Sequence, residues 1–328
     1  MNKIKQNRQI TYFIIIALMI GIFLLSLKTG KYPLSFEGIF AGDEMQRRVF
    51  LTLRLPRACV GLIAGIGLGI SGMIYQTIFS NSLASPDMIG VSSGASVGAA
   101  IAILFLVNQP LYVTSFAFVG SVLAIIFSLS ISRISSMKGN ATIILSGLVV
   151  HSLAQTILMM LKTIADPEKE LAAIEYWIMG SLNAITLDEL PFMCIITIGC
   201  TILLILLYRQ IMLLSLDEGE AKLLGVSVGR VRLLVLLLAT LIVAASVSVT
   251  GVISFVGLLA PHMARMLTKN TKLSTLLLSG AIGGIILCSA DILARTLADS
   301  ELPVSVFTSL IGAPFLLMLI VNKGRKYE

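Results

Sequence analysis

Apolar residues in this sequence come in blocks of about 15–25, the length that crosses the hydrocarbon core of a bilayer as one α-helix. The blocks do not alternate apolar and polar positions with a period of two, as the strands of a membrane β-barrel do. The pattern therefore predicts an all-α integral membrane protein. Ten spans fit, at residues 12–28, 56–79, 91–107, 113–133, 142–162, 190–208, 231–250, 254–267, 274–296 and 304–322.

The composition agrees with this class. Of the 328 residues, 57% are hydrophobic and 12% charged, and the mean hydropathy is +0.98. A soluble domain of this size carries about 25% charged residues. We interpret residues 1–328 as a single transmembrane domain, with residues 1–12 on the inner side and the first span retained.

The net charge of +7 could indicate nucleic acid, but the basic residues are scattered through short loops and form no long run. They fit topology signals instead. With an even number of spans and both termini cytoplasmic, most lysines and arginines lie inside, as the positive-inside tendency requires. An outer cluster before the second span runs against that tendency: Lys28, Lys31, Arg47, Arg48, Arg54 and Arg57.

No pattern in the chain predicts catalysis or a bound cofactor. The four cysteines lie in apolar blocks without a CxxC pair, and there are two histidines. No GxxxxGK[ST], HExxH or Ser-His-Asp pattern is present. We therefore expect no metal, no nucleotide site in this chain and no enzymatic activity of its own.

The stretch 251–272, GVISFVGLLAPHMARMLTKNTK, is too apolar for a soluble loop and too short for two spans. Pro261 removes a backbone donor and bends a helix, which is tolerated in lipid only where neighbouring protein covers the freed carbonyl. The stretch is predicted to be a buried, bent, re-entering segment with its basic end inside. His262, at the bend, is interpreted as a hydrogen-bonded structural residue.

Polar side chains within the predicted spans are few. Asp291 precedes Arg295 by four residues, the favourable order for an ion pair on a helix, and a structural pair is the expected role of Asp291. His151 and Gln155 share one face of the fifth span. They either line a wet path or bond to a neighbouring helix, and the sequence leaves both open.

Glycines recur at helical spacing in two spans, at Gly61, Gly65 and Gly69 and at Gly90, Gly94 and Gly98. Such faces let membrane helices pack backbone to backbone, here more plausibly within the chain than in a dimer.

Spans two to five and seven to ten start on opposite sides of the membrane, which fits an inverted repeat. The polar stretch 209–230 between them reads as short inner helices punctuated by glycine.

Several of these motifs carry a family resemblance: RLPR at 54–57, SGMIYQTIFSNSLASPDMIGVSSGASVGA at 71–99, YWIMGS at 176–181, EGEAKLLGVSVGRVR at 218–232 and GVISFVGLLAPHMAR at 251–265. AD at 290–291, AR at 294–295, ELP at 301–303 and GAPFLL at 312–317 continue it. Together they resemble the FecCD-type permeases of type II ATP-binding-cassette (ABC) importers for iron–siderophore complexes, haem and vitamin B12. Ser82 departs from the family, which usually has proline there.

The resemblance implies a multi-pass permease in a bacterial cytoplasmic membrane. A second permease subunit, identical or a sister chain, would complete a central path lined by spans five and ten. Two ATPase subunits inside would bind the ATP and Mg²⁺, and an extracytoplasmic binding protein would deliver the cargo. The cargo expected is a ferric siderophore or haem, with vitamin B12 as the alternative. An ion-coupled secondary transporter is the rival class, which a single intramembrane acid supports poorly.

The resemblance also implies roles for individual residues. Segment 209–230 would dock into the ATPase through Asp217, Glu218, Gly219, Ala221, Leu224 and Gly225. The outer arginines Arg54, Arg57 and Arg295 would meet acidic residues of the binding protein. The start of span five, at Asn140, Ala141 and Thr142, would form the cytoplasmic gate.

Overall fold

A computed structural model describes residues 2–35, 43–106, 109–135, 139–183, 185–216, 218–298 and 300–324. Within them every regular element is a helix. The α-helices are α1 Asn2–Lys28, α2 Glu44–Val49, α3 Leu55–Ile78, α4 Val91–Phe105, α5 Pro110–Ile134, α6 Asn140–Ile164, α7 Glu170–Ile178, α8 Glu189–Leu206, α9 Tyr208–Leu213, α10 Glu218–Leu223, α11 Val228–Thr250, α12 Val256–Thr268, α13 Leu273–Thr296 and α14 Val304–Gly324. A π-helix, Phe50–Arg54, joins α2 to α3, and a 3₁₀-helix, Pro86–Ile89, precedes α4.

Each of the ten predicted apolar blocks coincides with one helix, which confirms the all-α class. Among the described residues, seven helices are long and apolar enough to cross a membrane, and Val91–Phe105 and Val304–Leu319 are shorter apolar helices. The count of ten spans stays a prediction. The stretch 209–230 is helical in two short pieces, α9 and α10, as expected.

The core forms where α11 and α13 each pack on α3, and these three helices bury most of their length. The crossing of α3 and α13 is close: a Cβ at Gly65 would lie 2.5 Å from the carbonyl oxygen of Gly283, and one at Gly69 would lie 2.3 Å from that of Ser279. Ser279 donates a hydrogen bond of 2.7 Å to the carbonyl of Gly69. The predicted glycine face therefore packs within the chain.

The re-entering segment is present between α11 and α13. Residues 251–254 have no regular secondary structure, and Gly251 and Phe255 adopt positive φ angles of 69° and 66°. A positive φ is costly for a bulky residue such as phenylalanine. The Phe255 ring fills the space above Gly312 of α14, where a Cβ would come within 2.5 Å of it. α12 then returns toward the predicted inner end.

Pro261 lies inside α12, buried, and cannot donate to the carbonyl of Gly257, four residues earlier. That carbonyl faces Gly72 of α3 so closely that a Cβ there would lie 1.7 Å from its oxygen. The next carbonyl, of Leu258, accepts a hydrogen bond of 3.2 Å from the Gln76 side chain. α3 therefore covers the break in α12, as the sequence argument requires.

Replacing Gly72 by alanine tests this contact. The added methyl group meets backbone rather than a movable side chain, so α3 and α12 must separate. We expect destabilisation by about 1–3 kcal/mol or more, seen as a lower midpoint of thermal unfolding in detergent. Gly199→Ala on α8 is the matched control, because a Cβ at Gly199 has no atom within 4 Å. Equal midpoints for the two variants would contradict the tight α3–α12 packing.

Candidate functional sites at the two ends of the bundle

A buried charge cluster lies at the predicted outer end, where α3, α13 and the connection to α14 meet. Asp291 accepts from Arg57 of α3, whose Nε lies 2.8 Å from Asp291 Oδ1. Arg295, one turn further along α13, lies 3.0 Å from Asp291 Oδ2, so the predicted pair is present. Glu301 binds the other side of Arg57, with its Oε2 2.8 Å from Nη1. Asp291 thus joins two arginines, a role the sequence did not predict.

The three arginines proposed for docking do not stand on an exposed surface. Arg54, Arg57 and Arg295 are 6%, 8% and 4% exposed. Together with Glu301 they line a cavity of about 200 Å³. The expectation of an exposed basic patch built from these three residues is therefore wrong. Their side chains are turned inward, where carboxylates, a hydroxyl and backbone carbonyls of this same chain accept most of their hydrogen bonds; among the described residues Arg54 Nη1 and Arg295 Nε have no acceptor.

The end of α1 closes one side of this cavity. Arg295 donates to the hydroxyl of Ser26 at 2.6 Å and to the carbonyl of Thr29 at 3.1 Å. Arg54 donates to the carbonyl of Tyr32 at 3.1 Å. Its guanidinium group occupies the space that a side chain at Gly30 would need, since a Cβ there would lie 1.7 Å from Nη1. Gly30 is therefore required for Arg54 to lie inward.

The exposed basic side chains at this end are others from the same sequence cluster. Arg47 and Arg48 project from α2, and Lys28 and Lys31 lie near the end of α1. α2 is fixed at its start by Asp43, whose carboxylate accepts from the backbone of Met45 and Gln46. A partner approaching the outer end would meet these side chains first. The motif match alone could not separate the exposed arginines from the buried ones.

Along α6, one narrow stripe is buried and the rest of the surface is open. Val150, Ala154 and Leu158 pack inward, whereas Gln155 is exposed. His151 is half-buried, and its Nδ1 has no hydrogen-bond partner. Among the described residues, neither side chain has a hydrogen-bond partner on a neighbouring helix.

A second carboxylate, which the sequence did not single out, lies beside α4 and is exposed to a cavity in the helix bundle. Asp87, in the 3₁₀-helix between α3 and α4, accepts a hydrogen bond from Ser92. It lines a cavity of about 230 Å³ together with Ser85 and Ser254 of the re-entering segment. The 3₁₀-helix that carries Asp87 was not predicted as an element of its own. It packs tightly against α6, because a Cβ at Gly147 would lie 2.5 Å from the carbonyl oxygen of Met88.

At the predicted inner end, α10 stops in a tight cap. Gly225 has a φ of 82°, its N–H donates to Lys222, and the N–H of Val226 reaches back to Ala221. This Schellman arrangement needs the left-handed conformation that glycine adopts without strain. A Cβ at Gly225 would meet no atom within 4 Å, so the cap is open to a partner.

The surface of α10 differs in part from the predicted one. Ala221 is buried in the chain's own core and cannot contact a partner, whereas Leu223 is 90% exposed and Leu224 is also exposed. Gly219 has open space around it. Asp217 lies outside the described residues, and of Glu218 only the helical backbone is described. Leu223 was not among the predicted contact residues, because an apolar residue within a polar segment is expected to be buried in the core.

The remaining predicted residues lie near the inner end or in the re-entering segment. α6 begins at Asn140, directly after Gly139 with its φ of 116°. Ala141 is exposed and Thr142 is buried, and the carbonyl of Thr142 accepts from Ser146. His262 packs edge-on against Phe315 of α14, with ring centroids 5.9 Å apart. Within the described residues no group of three or more His, Cys, Asp or Glu side chains could hold a metal ion.

Residues 17–322 match the FecCD transport family, so the match spans the core, both ends and the re-entering segment. The chain belongs to the FecCD transport family. It is a multi-pass membrane protein, the permease subunit of an ABC importer.

Relatives of this FecCD permease cover nearly its full length. The hemin transport permease of Yersinia pestis is 35% identical, over 98% of each chain. The molybdate import permease of Haemophilus influenzae is 34% identical, over 92% of each. A solved metal-chelate type ABC transporter in an inward-facing conformation superposes with a TM-score of 0.87 at 34% identity, covering 94% of this chain and 98% of that one.

Asp291→Asn tests the outer cluster. Removing this buried carboxylate leaves Arg57 and Arg295 facing each other across a neutral amide, and breaking a buried pair in this way costs about 3–5 kcal/mol. We expect a clear fall in the unfolding midpoint. Glu175→Gln is the control, because Glu175 pairs with Lys162 at 2.9 Å but is exposed, so its loss costs about 1 kcal/mol or less. Equal effects would show that Asp291 does not hold the cluster together.

Proposed function

We propose that this FecCD permease forms, with a second permease subunit, the translocation path for an iron complex, either a ferric siderophore or haem. ATP hydrolysis by two separate ATPase subunits on the inner side drives transport along this path, and an extracytoplasmic binding protein delivers the cargo. The location is the bacterial cytoplasmic membrane, with both termini inside. The hemin-transporting relative and the metal-chelate type transporter support the choice of cargo class.

The observation that carries the path is the open polar face of α6. Ser152, Gln155 and Thr156 are exposed there, in the middle of a helix long and apolar enough to span the bilayer. An amide cannot face lipid without a large cost, because hydrocarbon offers it no hydrogen-bond partner. The face must therefore border water or another protein chain. A path shared with a second subunit supplies both.

The inner end supports docking of a separate ATPase. Leu223 and Leu224 project from a short, tightly capped helix that the rest of the bundle leaves uncovered. Two neighbouring exposed leucines on a rigid turn suit insertion into an apolar cleft. By the same proposal the start of α6, at Asn140, Ala141 and Thr142, is the cytoplasmic gate.

The outer end supports an acidic partner. Arg47 and Arg48 are exposed, and Arg54, Arg57 and Arg295 are buried at the same end of the bundle. A partner with acidic lobes would therefore meet exposed positive charge first and buried positive charge within the cavity. Complementary charge of this kind speeds encounter and fixes the register of docking. The rival, a secondary transporter, predicts that uptake stops when the proton gradient collapses while ATP is maintained.

Leu223→Asp tests the ATPase contact. The substitution should leave folding unchanged, because the side chain is already in solvent, but it places an unpaired carboxylate in the proposed apolar cleft. We expect affinity for the ATPase subunit to fall by more than about tenfold, with uptake falling in parallel. Ile134→Asp is the control, since Ile134 is equally exposed at the inner end of α5 and outside the proposed contact. Full ATPase binding by Leu223→Asp would refute this docking surface.

The cargo is tested with the binding protein that associates with this permease. Its affinity for haem, a ferric siderophore, cobalamin and molybdate is measured, followed by uptake of each into proteoliposomes that contain the whole complex. We expect an iron complex to bind at least about a hundredfold more tightly than the other two classes. Preference for cobalamin or molybdate would overturn the iron assignment and leave the ABC permease assignment standing.

A further inference from the structure

We infer that Glu301 is an internal stand-in for the acidic partner: it holds Arg57 until a carboxylate of the binding protein replaces it. This inference rests on the proposed docking of an acidic partner at the outer end. It adds an exchange of ion-pair partners, which links docking to the start of α14.

The two carboxylates on Arg57 are not equivalent. Asp291 lies within α13, is almost fully buried and is shared with Arg295. Glu301 lies in the connection between α13 and α14, and its side chain is 24% exposed. A pair that is partly exposed is weaker and more easily replaced than a buried one. An incoming carboxylate therefore displaces Glu301 and leaves Asp291 in place.

The charges favour such an exchange. Arg54, Arg57 and Arg295 face two carboxylates, Asp291 and Glu301, so the cluster carries one uncompensated positive charge. Arg54 contributes that charge, since its described contacts are to a backbone carbonyl and not to an acid. An acidic side chain entering the cavity of about 200 Å³ gains attraction from this surplus as well as from Arg57.

Glu301 is connected through the backbone to the start of α14, the helix that docking of the binding protein is proposed to move. Leu302, the next residue, donates to the carbonyl of Ala294 at 3.1 Å, and Val304, the first residue of α14, donates to the carbonyl of Gly180 at 3.1 Å. These bonds tie the start of α14 to α13 and to the residues that follow α7, and the Arg57–Glu301 pair ties it to α3. Release of Glu301 removes the charged tie and leaves the two backbone bonds. Docking then lets the first turn of α14 shift.

Glu301→Gln tests the exchange in the complete complex with its ATPase subunits. The variant keeps the Arg57–Asp291 pair and removes the competing charge. We expect its affinity for the binding protein to rise about three- to tenfold, because the contribution of a partly exposed charge pair lies between that of an exposed pair and that of a buried interfacial pair. The gain should disappear in an Arg57→Gln background. Unchanged or weaker binding by Glu301→Gln would overturn the exchange.

Two further variants separate exchange from general charge. Glu175→Gln removes an outer acidic residue away from the cluster and should leave affinity unchanged; an equal gain there would reduce the effect to net charge and overturn the proposal. Glu301→Asp keeps the charge but is one methylene shorter, so it should release Arg57 and still raise affinity. No gain in Glu301→Asp, with the complex intact, would also count against the exchange.

Two substitutions of Arg57 test the docking proposal separately from the exchange of ion-pair partners. Arg57→Lys keeps a positive charge but cannot bind Asp291 and Glu301 with two sides of one group. If it and Arg57→Gln both bind the binding protein like the wild type, Arg57 takes no part in docking and the proposed outer site is wrong. If both weaken binding while Glu301→Gln has no effect, docking stands and the exchange does not.

Discussion

The close crossing of α3 with α12 and α13 is the constraint on which the rest of the structure depends. At Gly65, Gly69 and Gly72 the helices approach until their backbones touch, and no side chain fits between them. Apolar side chains gain little from leaving lipid for a protein interior, so dense backbone packing stabilises membrane helices. The same approach brings α3 over the carbonyl that Pro261 leaves free, so packing and hydrogen-bond satisfaction are met by one contact.

Because α3 and α13 are fixed against each other along their length, their ends on the predicted outer side bring Arg57 and Asp291 together from positions 234 residues apart. A buried carboxylate is expensive unless each oxygen is paired, and here each oxygen faces a different arginine. The close crossing therefore brings the charged residues together, and their ion pairs in turn stabilise the crossing. Arg54 leaves one positive charge without a carboxylate partner, buried beside the cavity at the predicted outer end, so an acidic side chain would have to enter that cavity to reach it.

Much of the fold could be predicted from sequence, because length and hydropathy decide where a helix crosses a bilayer. The apolar blocks, the glycine packing face, the short inner helices and the Asp291–Arg295 pair all depend on local spacing. What failed depends on long-range contacts. Burial of Arg57 needs Glu301 on a distant connection, burial of Ala221 needs α11 behind it, and the placement of Asp87 at its cavity needs α6 to pack against the 3₁₀-helix.

The distribution of burial also indicates which helices can move. α3, α11 and α13 are enclosed on most sides, whereas α6 is held along one stripe and α14 has an exposed outer face. Elements with few buried contacts open at lower cost than those of the core. A transporter that alternates between two states needs a rigid frame and a movable lining. In this permease the charged cluster at one end and the capped helix α10 at the other both attach to the frame. A force applied at either end therefore reaches α14 through its contacts with α13, whereas α6 packs against α4, α5 and the 3₁₀-helix and can move with them.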